Sequence, residues 1–209
     1  MDKLMNYLPY IIAVVLGYFL GCINPAYIIA KIKGVDVLAH GSKNPGASNA
    51  TITMGWKVGI FVGFFDIMKA FISVMAIRLL FPDSPIAEAA AGVACVLGHM
   101  FPVTFKFRGG KGFASFLGMV LALDWRFFIA IGIAIILITL ITDYLALGTL
   151  TTVITEPILL AVFKGQYIVV AIVCIASLVI ILKHLENIKK IATGQEIGLR
   201  RVIDKNKKK

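Results

Sequence analysis

Seven long or moderately long apolar runs, separated by short polar connections, restrict this 209-residue chain to a membrane fold. Hydrophobic residues make up 59% of the chain and charged residues 15%, whereas soluble domains are about half apolar and about one quarter charged. A water-soluble globule of this size cannot bury that much apolar surface, so lipid must be the main solvent. The runs lie at 5–30, 54–80, 84–101, 113–123, 127–142, 145–163 and 166–183.

These runs predict an all-α integral membrane protein with about seven transmembrane helices, and they exclude a soluble domain that carries a single anchor. The fourth run, 113–123, is shorter than the ~20 residues that a helix needs to cross a bilayer. Six spans is therefore the competing count.

The distribution of basic residues predicts the orientation. The chain has 21 Lys and Arg against 11 Asp and Glu, a net charge of +10. With seven alternating spans and a cytoplasmic C-terminus, 15 of the basic residues fall inside and four fall outside. The positive-inside bias then places the N-terminus on the extracytoplasmic side, and no nucleic-acid partner is needed to explain the charge. We expect a transmembrane domain over 1–183 and a cytoplasmic segment over 184–209, whose basic tail meets anionic headgroups.

The first polar segment is His40–Ala50, with the sequence HGSKNPGASNA. Its glycines permit close backbone approach, and Ser42, Asn44 and neighbouring side chains offer neutral hydrogen bonds. Such a loop before a helix N-terminus is typical of an anion-binding nest. An ordinary turn has a similar composition, so this segment alone does not decide between the two.

The second polar segment, Phe107–Ser115, places three glycines around Lys111. A phosphate-binding loop surrounds the oxyanion with backbone N–H groups and neutralises its charge with an ammonium. The Walker spacing is absent, so ATP hydrolysis is not supported. The competing interpretation is a flexible basic loop, and the glycine density favours phosphate.

The third polar segment, His184–Glu196, follows the last apolar run. If the seventh helix continues past Lys183, then His184, Asn187 and Lys190 lie at successive i, i+3 positions on one face. A neutral imidazole can take a proton from a hydroxyl, while Asn and Lys can hold a phosphate. An amphipathic helix on the membrane surface is the alternative.

A charged pair interrupts the second apolar run. Asp66 and Lys69 are three residues apart in a stretch where charge is costly and usually faces the bundle interior. The pair is either a structural ion pair or a support for one of the polar loops. His99 stands near the second polar segment, and its sequence neighbours suggest no partner.

Taken together, GSKNPGASN, GHMFPVTFKFRGGKGFAS and HLENIKKIATGQE resemble the three motifs of the bacterial membrane acyltransferases of the PlsY family. The order of the motifs and their placement between apolar runs agree over nearly the whole chain. The resemblance implies a multi-pass enzyme of the bacterial cytoplasmic membrane with its site facing the cytoplasm. It would transfer a fatty acyl group from acyl-phosphate to the 1-hydroxyl of glycerol 3-phosphate, giving lysophosphatidic acid and phosphate at the first step of phospholipid synthesis.

The resemblance also implies what the site contains. The family uses no metal or other cofactor, and its partners are the two substrates, the bilayer and the enzyme that forms acyl-phosphate. Lys111 is the leading phosphate ligand, and His184 is a general base or hydrogen-bond donor unless the departing phosphate takes the proton. The matching catalytic residues are Ser42, Lys111, His184 and Asn187. The matching substrate-binding residues are Asn44, Gly46, Arg108, Gly110, Gly112, Thr149, Lys190, Gly194 and Glu196.

Three positions depart from the family pattern. Ile52 stands where the family usually has an arginine, and Lys190 replaces another arginine, which keeps the charge but loses the bidentate fork. Ala146 stands in place of a serine, although Thr149 keeps the hydroxyl at the next such position. A lost charge-assisted contact costs ~1.5–3 kcal/mol, so a weaker enzyme or an altered acceptor is compatible with the sequence.

Two functions of other classes compete with the enzyme. A transporter of a phosphorylated anion would need polar residues on both membrane faces, and the outside connections are short and sparsely polar. A divergent, non-catalytic copy would bind lipid phosphate or act as a scaffold. Retention of all four catalytic positions, from Ser42 to Asn187, argues against such a relic.

Overall fold

The computed structural model describes the backbone of residues 2–201 and the side chains of residues 6–201. Within that range every regular element is helical, as predicted, and the basic tail predicted beyond residue 201 lies outside the described residues. The helices are α1 (Asp2–Gly21), α2 (Pro25–Ile32), α3 (Ala47–Met54), α4 (Trp56–Leu80), α5 (Pro85–Met100), α6 (Phe113–Leu123), α7 (Trp125–Thr142), α8 (Leu145–Lys164) and α9 (Tyr167–Ala192), with a short 3₁₀ turn at Val103–Phe105.

Six helical segments in the described range are long and apolar enough to cross a membrane. They are Asn6–Ile32, Trp56–Leu80, Pro85–Phe105, Trp125–Thr142, Leu145–Lys164 and Tyr167–Ala192. Helix α6, which corresponds to the fourth apolar run, has 11 residues and is too short to cross alone, since a span takes ~20 residues. The all-α membrane class is confirmed, and the sidedness of the two termini stays a prediction.

The chain divides after Asp124 into two compact units. The first contains α1 to α6 and the second contains α7 to α9. The predicted domain boundary at residue 183 stays a prediction. Helix α9 runs through that position without interruption and ends at Ala192. The helix therefore continues past Lys183, as the predicted i, i+3 row of His184, Asn187 and Lys190 requires.

Small residues let the helices of the first unit approach closely. A side chain at Gly17 or Gly21 on α1 would overlap the backbone carbonyl of Ala91 or Cys95 on α5. On α6, a side chain at Gly118 would overlap the carbonyl of Ile67 on α4. Because lipid supplies no hydrophobic drive between apolar helices, such backbone approach is a main source of their association.

The second unit is a row of three helices joined by two-residue connections at 143–144 and 165–166. Helix α8 packs against both α7 and α9. Its buried face includes three polar side chains, Thr149, Thr152 and Glu156, each at most 2% exposed. Both threonine hydroxyls donate to carbonyls one turn earlier, the usual way in which a helix in lipid satisfies them.

The close α1–α5 contact predicts a large difference between two Gly→Ala substitutions. Gly17→Ala places a methyl group into the Ala91 carbonyl, so we expect a loss of ~1–3 kcal/mol and a lower thermal midpoint in detergent. Gly132→Ala on α7 is the matched control, because no atom outside its own helix lies within 4 Å of the new methyl group. The control should keep or raise the midpoint. Equal midpoints for the two variants would contradict this packing.

Candidate active site

Asn49 organises the loop of the first motif. It is fully buried in the first turn of α3. Its Oδ1 accepts a hydrogen bond from the Ser42 backbone N–H at 2.7 Å. Its Nδ2 donates to the carbonyls of Val37 at 2.8 Å and His40 at 3.1 Å. One amide thus holds three points of the loop and fixes the backbone of Ser42, whose side chain lies at the surface.

The same loop runs directly into the N-terminus of α3, as the anion-nest interpretation predicted. Gly41 has φ +64°, and a side chain there would overlap Asn49 Oδ1, so the glycine is required on both counts. Gly46 is buried, caps α3 and donates its N–H to the Asn44 carbonyl at 2.9 Å. Asn44 is half-buried beside it. The predicted residues Ser42, Asn44 and Gly46 therefore belong to one ordered turn.

The glycine-rich loop of the second motif folds back onto the end of α5. The Gly109 N–H donates to the Met100 carbonyl and the Gly110 N–H to the His99 carbonyl, both at 3.1 Å. A side chain at Gly110 would overlap His99 Nε2, so the loop lies directly on the imidazole ring. Lys111 follows, half-buried, and Gly112 is the N-cap of α6 with φ +85°.

Helix α2 connects the loops of the first and second motifs. Asn24 is fully buried; its Oδ1 caps α2 and its Nδ2 donates to the Pro45 carbonyl at 3.1 Å. One turn on, the Tyr27 hydroxyl donates to the Arg108 carbonyl at 2.6 Å, and its ring stacks on Phe105 at 4.2 Å. The structure therefore brings both loops to a single turn of α2.

Neither Asn24 nor Tyr27 was identified from the sequence. A signal was available for the first, because Asn followed by Pro is typical of a helix N-cap with proline at the first helical position. The apolar run 5–30 concealed it, since the run was read as one continuous helix. For Tyr27 no local pattern indicates a partner 81 residues away.

In the second unit, His184 and Asn187 lie on α9 as predicted. His184 is 5% exposed, and its Nδ1 lies 2.8 Å from the Ile180 carbonyl oxygen. A carbonyl only accepts hydrogen bonds, so Nδ1 carries the hydrogen and Nε2 is the acceptor nitrogen of the neutral ring. The Asn187 amide donates to Glu196 Oε1 at 2.6 Å. Glu196 thus holds Asn187 from a position nine residues further along the chain.

A helix cap explains how Glu196 returns to α9. Gly194 has φ +69°, and its N–H donates to the Ile191 carbonyl at 3.1 Å. The Gln195 N–H reaches the Lys190 carbonyl at 2.7 Å, which completes a Schellman motif. The Lys190 ammonium pairs with Glu186 at 2.7 Å, so part of its charge is already balanced. Roles for Gly194 and Lys190 in substrate binding stay predictions.

Asp143 anchors the segment 198–200, a role not evident from the sequence, in which it only separates the apolar runs 127–142 and 145–163. Its backbone adopts φ +70° between α7 and α8. Its Oδ1 accepts the Arg200 N–H and its carbonyl accepts the Leu199 N–H, both at 2.8 Å. A side chain at Gly198 would overlap Oδ2. The chain after Glu196 is therefore tied to the α7–α8 turn.

The predicted site residues form two groups, one in each unit. The group in the first unit comprises Ser42, Asn44, Gly46, Arg108, Gly110, Lys111 and Gly112. The group in the second unit comprises Thr149, His184, Asn187, Lys190, Gly194 and Glu196. Thr149 is buried on α8 and the other five lie within 13 residues at the end of α9.

Comparison with known proteins gives one consistent family. The family model for glycerol-3-phosphate acyltransferase matches residues 11–194. Glycerol-3-phosphate acyltransferase 1 of Oceanobacillus iheyensis is 39% identical over 201 residues, covering 91% of this chain and 95% of that protein. The glycerol-3-phosphate acyltransferase of Aquifex aeolicus is 38% identical over 189 residues, covering 88% of this chain and 95% of the relative.

Solved structures agree with the sequence relatives. A crystal structure of PlsY, an integral membrane glycerol 3-phosphate acyltransferase, in its glycerol 3-phosphate form superposes with a TM-score of 0.85 at 35% identity. It covers 91% of this chain and 95% of its own. The lysophosphatidic acid form of PlsY superposes with a TM-score of 0.82 and covers 93% of this chain and 98% of its own.

The Asp143 anchor predicts a local effect on the end of the chain. Asp143→Ala removes the acceptor for the Arg200 N–H, so amide hydrogens of residues 196–201 should exchange faster by at least about tenfold, the value for ~1.4 kcal/mol. Thr151→Ala is the control, since Thr151 is exposed and its hydroxyl bonds within α8 to Leu147. Hydrogen exchange read by mass spectrometry makes the comparison. Unchanged exchange in the Asp143 variant would show that the segment is held elsewhere.

Proposed function

Because the chain belongs to the glycerol-3-phosphate acyltransferase family, we propose that it takes its acyl group from an acyl-phosphate and delivers it to the 1-hydroxyl of glycerol 3-phosphate. The chain is a membrane glycerol-3-phosphate acyltransferase, and the solved relatives bind glycerol 3-phosphate and lysophosphatidic acid. The choice of an acyl-phosphate donor is supported by the two ordered loops of the first unit. Each loop has the features of a phosphate site, and a reaction with acyl-phosphate brings two phosphates.

The proposed reaction asks little of the protein beyond binding and alignment. Acyl-phosphate is a mixed anhydride and is already activated. The 1-hydroxyl oxygen attacks the acyl carbonyl carbon, and the bond from that carbon to the phosphate oxygen breaks. The electron pair of that bond leaves with phosphate, and the hydroxyl proton goes to a base or to the departing phosphate. Holding two anionic substrates in this geometry is the main catalytic contribution.

In the first unit, backbone N–H groups and Lys111 are the proposed phosphate ligands. The turn of Ser42, Asn44 and Gly46 leads into the positive end of the α3 dipole. Lys111 and Gly112 lie directly before the N-terminus of α6 in the same way. Arg108 has its carbonyl fixed by Tyr27 and its side chain at the surface, where it attracts anionic substrates.

In the second unit, His184 is the proposed general base. The hydrogen bond from Nδ1 to the Ile180 carbonyl fixes the ring orientation, and Nε2 is the nitrogen proposed to take the hydroxyl proton. Asn187 and Lys190 are assigned to substrate binding, together with Thr149 on α8. Glu196, predicted as a substrate ligand, is assigned on its 2.6 Å contact to holding Asn187 in place.

The departures from the family pattern sit beside this machinery. Ile52 is a half-buried residue of α3, within the helix whose first turn carries Asn49. The arginine usual there is missing, so we propose that phosphate binding depends more heavily on Lys111 here. Ala146 is buried at the start of α8, and Thr149 provides the hydroxyl one turn later.

The proposed setting follows from the chemistry of the substrates. We assign the protein to the bacterial cytoplasmic membrane with the site facing the cytoplasm, where glycerol 3-phosphate is dissolved. The acyl tail enters from lipid, and the enzyme that forms acyl-phosphate is a partner that would deliver it. The segment 184–209 is proposed as the cytoplasmic part that carries the third motif.

A donor comparison tests the proposal. Purified protein in detergent or lipid mesophase is given palmitoyl-phosphate or palmitoyl-CoA, each with and without glycerol 3-phosphate, and lysophosphatidic acid is followed by mass spectrometry. We expect product only with palmitoyl-phosphate, with one phosphate released per acceptor consumed. Product from palmitoyl-CoA alone would refute the proposed donor. No product from either donor in folded protein would instead indicate a divergent copy.

A matched pair of lysine substitutions tests the proposed phosphate ligand. Lys111→Gln removes the ammonium next to Gly110 and Gly112, so kcat/KM should fall by at least about 10- to 100-fold, the value of a charge-assisted contact. Lys106→Gln is the control, because it removes a charge from the exposed part of the same loop. The control should stay within a few-fold of the parent. Equal activity of the two variants would remove Lys111 from the site.

A further inference from the structure

Asp66 and Lys69 belong to a buried cluster that also contains His99. The three side chains are 1%, 4% and 3% exposed. Lys69 Nζ lies 2.7 Å from Asp66 Oδ1 and 2.9 Å from His99 Nδ1. Asp66 Oδ1 lies 3.3 Å from the same His99 nitrogen. The pair on α4 is therefore completed by a residue of α5, which the sequence did not indicate.

The ammonium of this cluster also binds the break between α1 and α2. Lys69 Nζ donates to the Gly21 carbonyl at 3.1 Å and to the Ile23 carbonyl at 2.8 Å. Carbonyls at the end of a helix lack partners within it, and a cation there is favoured by the helix dipole. Asn24 follows directly and holds the first-motif loop through Pro45.

His99 carries the contact to the second loop. Its carbonyl accepts the Gly110 N–H at 3.1 Å, and its ring fills the space that a side chain at Gly110 would need. A side chain at Gly109 would overlap the same carbonyl. The imidazole ring thus packs against the turn that ends at Lys111 and supports it.

We propose that Asp66, Lys69 and His99 are positioning residues. They fix the positions of the two proposed phosphate-binding loops relative to each other. Lys69 fixes the α1–α2 break that leads into the first loop, and His99 supports the second. Asp66 balances the charge of the Lys69 ammonium. The inference rests on the proposed role of these loops and goes beyond it by assigning their relative placement to the buried cluster.

A purely stabilising role explains the cluster less well. Well-packed apolar side chains often stabilise a buried site as much as an ion pair does, and charge within a membrane helix is expensive. What apolar side chains cannot supply is directional hydrogen bonding to the Gly21 and Ile23 carbonyls. The cluster is therefore suited to fixing the geometry of the α1–α2 break.

The first test separates positioning from stability. His99→Asn and Lys69→Met are compared with Glu88→Gln, which breaks the Arg78–Glu88 ion pair that joins the same two helices, α4 and α5. All three should lower the thermal midpoint in detergent. Only the cluster variants should lower kcat/KM, by up to about 100-fold, the cost of a misplacement of about 1 Å. They should also speed amide exchange in residues 102–112.

The second test is a double-mutant cycle on the contact between His99 and Gly110. Gly110→Ala alone forces a methyl group against the imidazole and should impair activity. In the His99→Ala background that collision is gone, so adding Gly110→Ala should cost little more. Activity losses that multiply independently would overturn the proposed support of the loop by the ring.

The outcomes distinguish this inference from the proposed function. If Lys111→Gln keeps full activity, the proposed phosphate-binding role of the second loop is refuted. Amide exchange in residues 102–112 of the cluster variants then still shows whether the cluster holds that loop in place. If the cluster variants match Glu88→Gln in kcat/KM and in exchange, the inference is overturned and the role of Lys111 stands. Should Lys69→Met fail to fold, His99→Asn and the double-mutant cycle decide the question.

Discussion

The architecture of the first unit depends on one buried ammonium. Charge inside a lipid-embedded helix is tolerated only with partners, and Lys69 has a carboxylate, an imidazole and two backbone carbonyls of the α1–α2 break around it. These contacts join α4 to α5 and to the break after α1. The two polar loops start from that junction, one through Asn24 and one through His99. The contacts of the buried Lys69 ammonium thus determine where the two polar loops of the first unit begin.

Glycine serves the loops through close approach as much as through backbone freedom. Gly110 is glycine because the His99 ring occupies the space of its side chain, whereas Gly41 and Gly194 are glycines with positive φ. A loop held so tightly presents its N–H groups in a constant arrangement. That arrangement suits a reaction in which the donor is already activated and the protein supplies alignment and charge balance.

Several site residues were predictable because their chemistry is local. Glycines around a lysine and an i, i+3 row of His and Asn are visible in the chain, and the structure places each in the predicted loop or helix. Asn49, Asn24 and Asp143 were missed because their partners lie 7 to 57 residues away. The substrate-binding role of Glu196 stays a prediction, and its contact with Asn187 was not visible in the sequence, because it depends on the cap at Gly194 that reverses the chain.

The sequence by itself determined that the chain folds in lipid, that it is helical and which family it resembles. Apolar runs and short motifs are properties of neighbouring residues, so they are visible without the structure. It also placed the charged pair Asp66 and Lys69 within one helix. Only the tertiary structure decided that His99 completes this pair and that one turn of α2 holds both loops. The physical reason is that a buried charge takes whichever donors and acceptors the packing brings near it. Close helix packing is in turn set by contacts between glycines and backbone carbonyls that are distant in the chain.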